Sequence, residues 1–165
     1  MMELFFLRKV WNVLKIVLNN TVHVSAKIKL GPGATKLNEA WLAGKFDIII
    51  SEPILSEMVN IFRAEDADEQ DIKTLEKVLR AYGILVKPTE RINACRDPDD
   101  NKFLEAAVTG RADYFFFQLF LLIKLFFLKE KFGYIVSGDK DLRVLSPFRG
   151  IPIVTVRKCL RIIGI

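Results

Sequence analysis

Cysteine and histidine are nearly missing from this chain, which has two Cys and one His in 165 residues. Cys95 and Cys159 lie far apart and neither belongs to a paired metal-ligand spacing. That excludes a zinc finger and a disulfide framework, and both read as reduced, mostly buried thiols. Long hydrophobic runs are missing too. No stretch of eighteen or more uninterrupted apolar residues exists, which argues against a membrane span. No signal-peptide pattern with a small-residue cleavage site opens the chain, and the expected location is cytoplasmic. Charge is only mildly one-sided: a net +5 allows a polyanionic partner without requiring one. What is present in quantity is apolar, with 51% hydrophobic residues and thirteen Phe, so disorder is excluded. The length suits one domain with a two- or three-layer core.

Acid is concentrated in one place. In Cys95-Arg96-Asp97-Pro98-Asp99-Asp100-Asn101-Lys102-Phe103, three carboxylates follow within a few positions. The apolar residues Phe103, Leu104, Ala106, Ala107 and Val108 then fit one face of a helix that Gly110 would end. Asp97 suits the N-cap, Pro98 the first helical position, and Asp100 the third position past the cap. An acidic helix start accounts for this by itself, through the orphan N–H groups and the dipole. One cap needs only one carboxylate, however. If further acids converge here, a divalent-metal site follows.

The rest of the chain alternates. An N-terminal apolar extension, residues 1–14, carries Leu4, Leu7, Trp11 and Leu14 at helical spacing. Apolar runs predict strands at Lys15–Leu18, Phe46–Ile50, Ile84–Val86, Tyr134–Val136 and Ile151–Thr155, the last an edge strand because of Pro152. Between them, helices are predicted at Thr35–Ala43, from Ser51 onward, at Asp71–Tyr82 with Gly83 as cap, and after the last strand through Leu160, Ile162 and Ile163. Ile54, Glu57, Met58 and Ile61 fall at i, i+3, i+4 and i+7, so Glu57 lies on an inward stripe, where a carboxylate needs a partner or a metal. The alternation predicts an α/β fold, three layers α/β/α around a central parallel sheet of four to five strands. Sites in such sheets gather outside the carboxyl ends of the strands, where Asn19, Asp139 and Asp141 fall.

Together these residues resemble the PIN-domain nuclease family, in particular its toxin components of toxin–antitoxin systems. The resemblance rests on Arg96 to Glu105, on Gly110-Arg111-Ala112-Asp113-Tyr114, on Ile135-Val136-Ser137-Gly138-Asp139-Lys140-Asp141-Leu142, and on Ser51 to Met58. It implies a single PIN-like domain over residues 15–165 acting as an endoribonuclease dependent on Mg²⁺ or Mn²⁺. Glu57, Asp100 and Asp139 would hold the metal. Asp141 would be an auxiliary acid, and Ser137 would fill the family's Ser/Thr position. Asn19 stands where the family's first catalytic Asp belongs, because the family's first strand ends Leu-Asp-Thr-Asn and this one ends Leu18-Asn19-Asn20-Thr21. His23 takes a position usually apolar in the family.

The chemistry has its own logic. Phosphodiester hydrolysis needs an activated water and a clamp for phosphate charge, which oxygen-liganded divalent ions supply. The bases Lys27, Lys29, Arg96, Lys102, Lys140 and Arg143 flank the acids in sequence and suit an RNA backbone. The expected partners are RNA, an antitoxin protein and a second copy in a homodimer. Asn19 argues for impaired activity, and the alternative is a degenerate PIN fold that binds RNA or a protein without cleaving. The apolar segment Phe115–Leu128, within an insert at about 115–133, gives a helix of about 21 Å, short of a bilayer core of about 30 Å. It is expected to be amphipathic or buried, packing on the N-terminal extension or serving as an interface.

Overall fold

The computed structural model describes residues 14–19, 32–110 and 133–165. The expectations for the N-terminal extension up to residue 13, for Asn20, His23, Lys27 and Lys29, and for the insert through residue 132 fall outside them. The elements run β1 (Leu14–Leu18), α1 (Pro32–Leu42), β2 (Phe46–Ser51), α2 (Glu52–Ala64), α3 (Glu69–Tyr82) and β3 (Ile84–Val86). A 3₁₀ turn at Pro98–Asp100 opens α4, which is helical over residues 101–110. Then follow β4 (Tyr134–Val136), α5 (Lys140–Val144), β5 (Ile153–Val154) and α6 (Val156–Ile162).

The five strands form one parallel sheet in the order β3-β2-β1-β4-β5, covered by helices on both sides. Burial explains the placing of β1 at the centre. Ile16, Val17 and Leu18 are all buried, as a strand covered on both faces requires. The one charged residue in it, Lys15, reaches the carbonyl of Gly110 with its Nζ at 3.4 Å. β5 is an edge, as Pro152 implies, and Pro152 contributes its carbonyl to the ladder by accepting from the Ile135 N–H. In α2, Ile54, Leu55, Met58 and Phe62 turn inward, while Asp68 caps α3 by accepting from the N–H groups of Gln70 and Asp71.

Several boundaries differ from the sequence reading. Leu14 belongs to β1 and not to the extension, since it pairs in register with Phe46. α1 begins at Pro32, ahead of Thr35, because Pro and Gly are tolerated in a first turn. α3 begins at Glu69 because the cap is Asp68. β5 keeps only two residues, and Ile151 instead bridges Phe148 in antiparallel fashion. Gly110 does not stop α4 but is itself helical. Its role is close approach: a Cβ there would stand 2.5 Å from Ile49 Cδ1, so only glycine lets α4 lie this near β2.

Chain order reverses at the centre of the sheet. From β1 the strands proceed through β2 to β3 on one side, then resume with β4 and β5 on the other. The crevice between the carboxyl ends of β1 and β4 is thus a topological switch point, where parallel α/β sheets place their sites.

Candidate active site

A row of short polar side chains crosses the carboxyl ends of three strands. Val17 pairs with Ile49 and Leu18 with Val136, so continuing the register sets Asn19 beside Ser51 of β2 and Ser137 after β4. All three are buried, Asn19 at 3% and both serines at 0% exposure. Asn19 donates its backbone N–H to Val136 O at 3.0 Å and its Nδ2 to Ser137 Oγ at 3.2 Å. The same Ser137 Oγ accepts the Asp139 N–H at 2.9 Å. Ser51 follows Ile49 by two residues and so faces the α4 side of the sheet. It stands at the N-cap of α2 but makes no side-chain cap bond, and its Oγ has no hydrogen-bond partner among the described residues.

The acids come from two helix starts and one helix face. Asp139 caps α5, accepting from the N–H groups of Asp141 at 2.6 Å and Leu142 at 3.4 Å. Asp141 Oδ2 pairs with Arg96 Nη2 at 2.6 Å, a contact that ties α5 to the loop before α4. Asp97 caps the 3₁₀ turn by accepting from the Asp99 N–H at 3.0 Å, in agreement with its predicted place. Glu57, on α2, is half-buried and pairs through Oε2 with Lys102 Nζ at 3.0 Å. The inward carboxylate has therefore found a cation within the chain itself.

Electrostatics shows that these groups share one region. Burial pushes the Asp100 carboxyl up to about 6, reinforced by the negative charges of Asp139, Asp97 and Glu57 and opposed by Lys102. Cys95 reports the same field from inside the core. Burial, followed by the charges of Asp100, Asp139, Asp97 and Asp141, raises its thiol to about 11, so it stays protonated and unreactive. Both cysteines are free and buried, as expected.

Asp100 thus senses Asp139 and Glu57 together, while Asp141 is engaged with Arg96. Among the described residues, no group of three His, Cys, Asp or Glu side chains is arranged to hold a metal ion. The donors nonetheless suit a hard divalent ion in kind. Burial and, after it, carboxylate repulsion raise Asp100, a repulsion that a cation would relieve, and the orphan Ser51 hydroxyl is an uncommitted neutral oxygen beside Asn19. Of the predicted bases, Lys140 is exposed at the start of α5, Arg96 is exposed, and Arg143 donates its Nε to the Asp139 carbonyl at 3.1 Å.

Two residues matter here that sequence reasoning passed over. Asn101 Oδ1 accepts the N–H groups of Ala94 and Cys95 at 2.9 and 3.0 Å, and its Nδ2 donates to Pro98 O at 2.9 Å. One turn on, Glu105 is only 6% exposed; its Oε1 accepts the Ile92 N–H at 3.1 Å and its Oε2 faces Arg91 at 3.6 Å. Together they pin the loop that delivers Arg96 and Asp97. Their i, i+4 spacing on the apolar face of α4 was the available signal.

The family model for the PIN domain matches residues 15–115. No curated protein matches the chain.

Proposed function

Since the chain belongs to the PIN domain family, whose members are generally nucleases, we propose that it is a Mg²⁺- or Mn²⁺-dependent endoribonuclease. In this reading it is the toxin of a toxin–antitoxin pair, acting on RNA in the cytoplasm, held by an antitoxin and working as a homodimer. The observation that carries the reading is the gathering of Asp100, Asp139, Asp97 and Glu57 near the sheet's switch point, close enough that the last three add to the effect of burial in raising the Asp100 carboxyl. Acids gathered against their own repulsion are what a cation site requires.

Glu57, Asp100 and Asp139 are the residues that would hold the ion. When bound, the ion supplies an activated water and a clamp for phosphate charge. The protein's own groups do the rest. Ser137 fixes the Asn19 amide and the start of α5 with one hydroxyl, while Asp141 holds Arg96 at the rim, where a guanidinium suits a phosphate. Beside Lys102 and Glu105 lies an open cleft of about 410 Å³, bordered by Arg91, Asn93 and Pro53, within the size range of small-ligand pockets. Among the described residues no helix is long and apolar enough to cross a membrane.

The test is a labelled RNA incubated with the protein in Mn²⁺, then in EDTA, then with Mn²⁺ restored. Cleavage should stop and resume, and Asp139→Asn should abolish it. Cleavage indifferent to EDTA would overturn the metal-dependent reading. A second reading, a fold that binds RNA or a protein without cutting, is favoured by Asn19, whose amide is used as a hydrogen-bond donor to Ser137, as no carboxylate could be. RNA retention in EDTA without cleavage in Mn²⁺ would select it.

A further inference from the structure

We infer that Lys102 is a built-in counter-cation of the acidic site, ion-paired with Glu57 in the metal-free protein and displaced when a divalent ion enters. The inference rests on the metal-dependent reading above and concerns what fills the cation's place beforehand.

The pair is not an ordinary surface contact. Lys102 Nζ lies 3.0 Å from Glu57 Oε2, and the two side chains are only 16% and 34% exposed. Exposed ion pairs gain little because water screens them and both chains must be held still. This pair is largely withdrawn from water, and the Lys102 ammonium also stands 5.5 Å from the Phe103 ring centre, which further favours the cation. Its stem leaves the first turn of α4, the turn that carries Asp100, and its partner sits on α2. The ammonium therefore spans two of the elements that would supply metal ligands. Its charge acts on Asp100 as well, opposing the upward push of the other acids.

Two positive charges of one segment serve the site in this way, Arg96 on Asp141 and Lys102 on Glu57, but they differ in exposure. Arg96 is 83% exposed, its partner Asp141 is not among the expected metal ligands, and it can leave into solvent freely. Lys102 is the shielded one and occupies a carboxylate that the metal needs. An ammonium is a compact point charge on a flexible stem, able to neutralise a carboxylate and then swing clear. With Asn19 contributing no charge, Lys102 leaves the acids a smaller net charge to offer an ion, and ligand charge governs divalent affinity. The chain therefore holds its site together without metal, at the expense of binding metal weakly.

Two measurements on the full chain test this. Mn²⁺ titration by calorimetry should show at least fivefold tighter binding in Lys102→Met, which keeps the apolar stem, and no such gain in Lys102→Arg. Equal affinity in Lys102→Met and the unmodified protein, or weaker affinity in the variant, would overturn the counter-cation role and leave the metal reading standing. Absence of Mn²⁺ binding in both would overturn the two together. The second measurement needs no variant. Reductive methylation of Lys102, followed by mass spectrometry, should be slow in EDTA and at least threefold faster in saturating Mg²⁺. A rate unchanged or lowered by Mg²⁺ would refute displacement.

Discussion

Asn19→Asp tests the proposed site most directly, because it restores a charge without changing shape. In the unmodified chain Asn19 Nδ2 donates to Ser137 Oγ at 3.2 Å, and the same oxygen accepts the Asp139 N–H at 2.9 Å. A carboxylate cannot donate, so Ser137 must turn its O–H toward it while a lone pair keeps the Asp139 contact. A hydroxyl rotates freely enough to do both. The number of hydrogen bonds is conserved, and one becomes charge-assisted, a gain of about 1 kcal/mol. Against that stands a carboxylate at a position only 3% exposed, in the neighbourhood of Asp139. Its desolvation costs several kcal/mol, of order 3 here. The net loss in EDTA should be about 2 kcal/mol, a fall of roughly 4–8 °C in Tm.

Metal should reverse that loss. One more ligand charge that tightens Kd tenfold adds about 1.4 kcal/mol of binding. At a hundred times Kd, ligand binding alone stabilises by about 2.7 kcal/mol. Thermal melts with and without Mn²⁺ should therefore show the variant below the unmodified protein in EDTA and raised by Mn²⁺ more than it is. Cleavage of a labelled RNA should rise at least tenfold, since about 1.4 kcal/mol of transition-state stabilisation is worth that factor. A variant that melts no lower in EDTA, gains nothing extra from Mn²⁺ and cleaves no faster would refute the reasoning at each step.

Asp100→Asn should stabilise the metal-free protein near pH 7.5 by about 1–2 kcal/mol, once solvent screening is allowed for. Its folded carboxyl titrates at about 6 against an ordinary 3.8, so the folded state binds more protons across that interval and loses stability as pH rises through it. Urea denaturation at pH 4 and 7.5 should show the advantage only at the higher pH. Asn101→Ala, which removes the acceptor for two N–H groups and a donor to Pro98, should cost about 2–3 kcal/mol and speed hydrogen exchange at Ala94 and Cys95. Gly110→Ala should cost about 1–3 kcal/mol by forcing α4 off Ile49, with partial rescue by Ile49→Val in chemical denaturation.

The sheet was legible because its strands are buried on both faces and therefore spell continuous apolar runs, as in Ile48-Ile49-Ile50 or Tyr134-Ile135-Val136. Boundaries were less legible where caps decide them. Asp68, and not the first periodic residue, starts α3, and three residues, Pro32, Gly33 and Ala34, precede the pattern that Thr35 begins. Asp139 and Asp141 were placed at the end of β4 because the apolar run Tyr134-Ile135-Val136 stops just before them. The partners of the acids were not legible, since an ion pair such as Lys102 with Glu57 joins residues on different helices and leaves no periodic trace. Ser51 was hidden for another reason. As the first residue of a predicted helix it raised no question, and only its buried hydroxyl, without a partner among the described residues, singles it out.

The central place of β1 has a consequence for the chain as it is made. β1 precedes the other described strands in the chain, yet its pairing with Tyr134 to Val136 waits for more than a hundred further residues. At translation rates of about 5–20 residues per second, Leu14 to Leu18 stands for on the order of ten seconds with one hydrogen-bonding edge unmet. That edge is apolar and carries a single charge, Lys15, the kind of strand that recruits another in its place. The portion that matches the family model, residues 15–115, ends before β4 and would stay in that half-paired condition permanently. It would hold β3, β2 and β1 with an open side where Ser137 and Asp139 belong, so closing the sheet and completing the acidic cluster are one event.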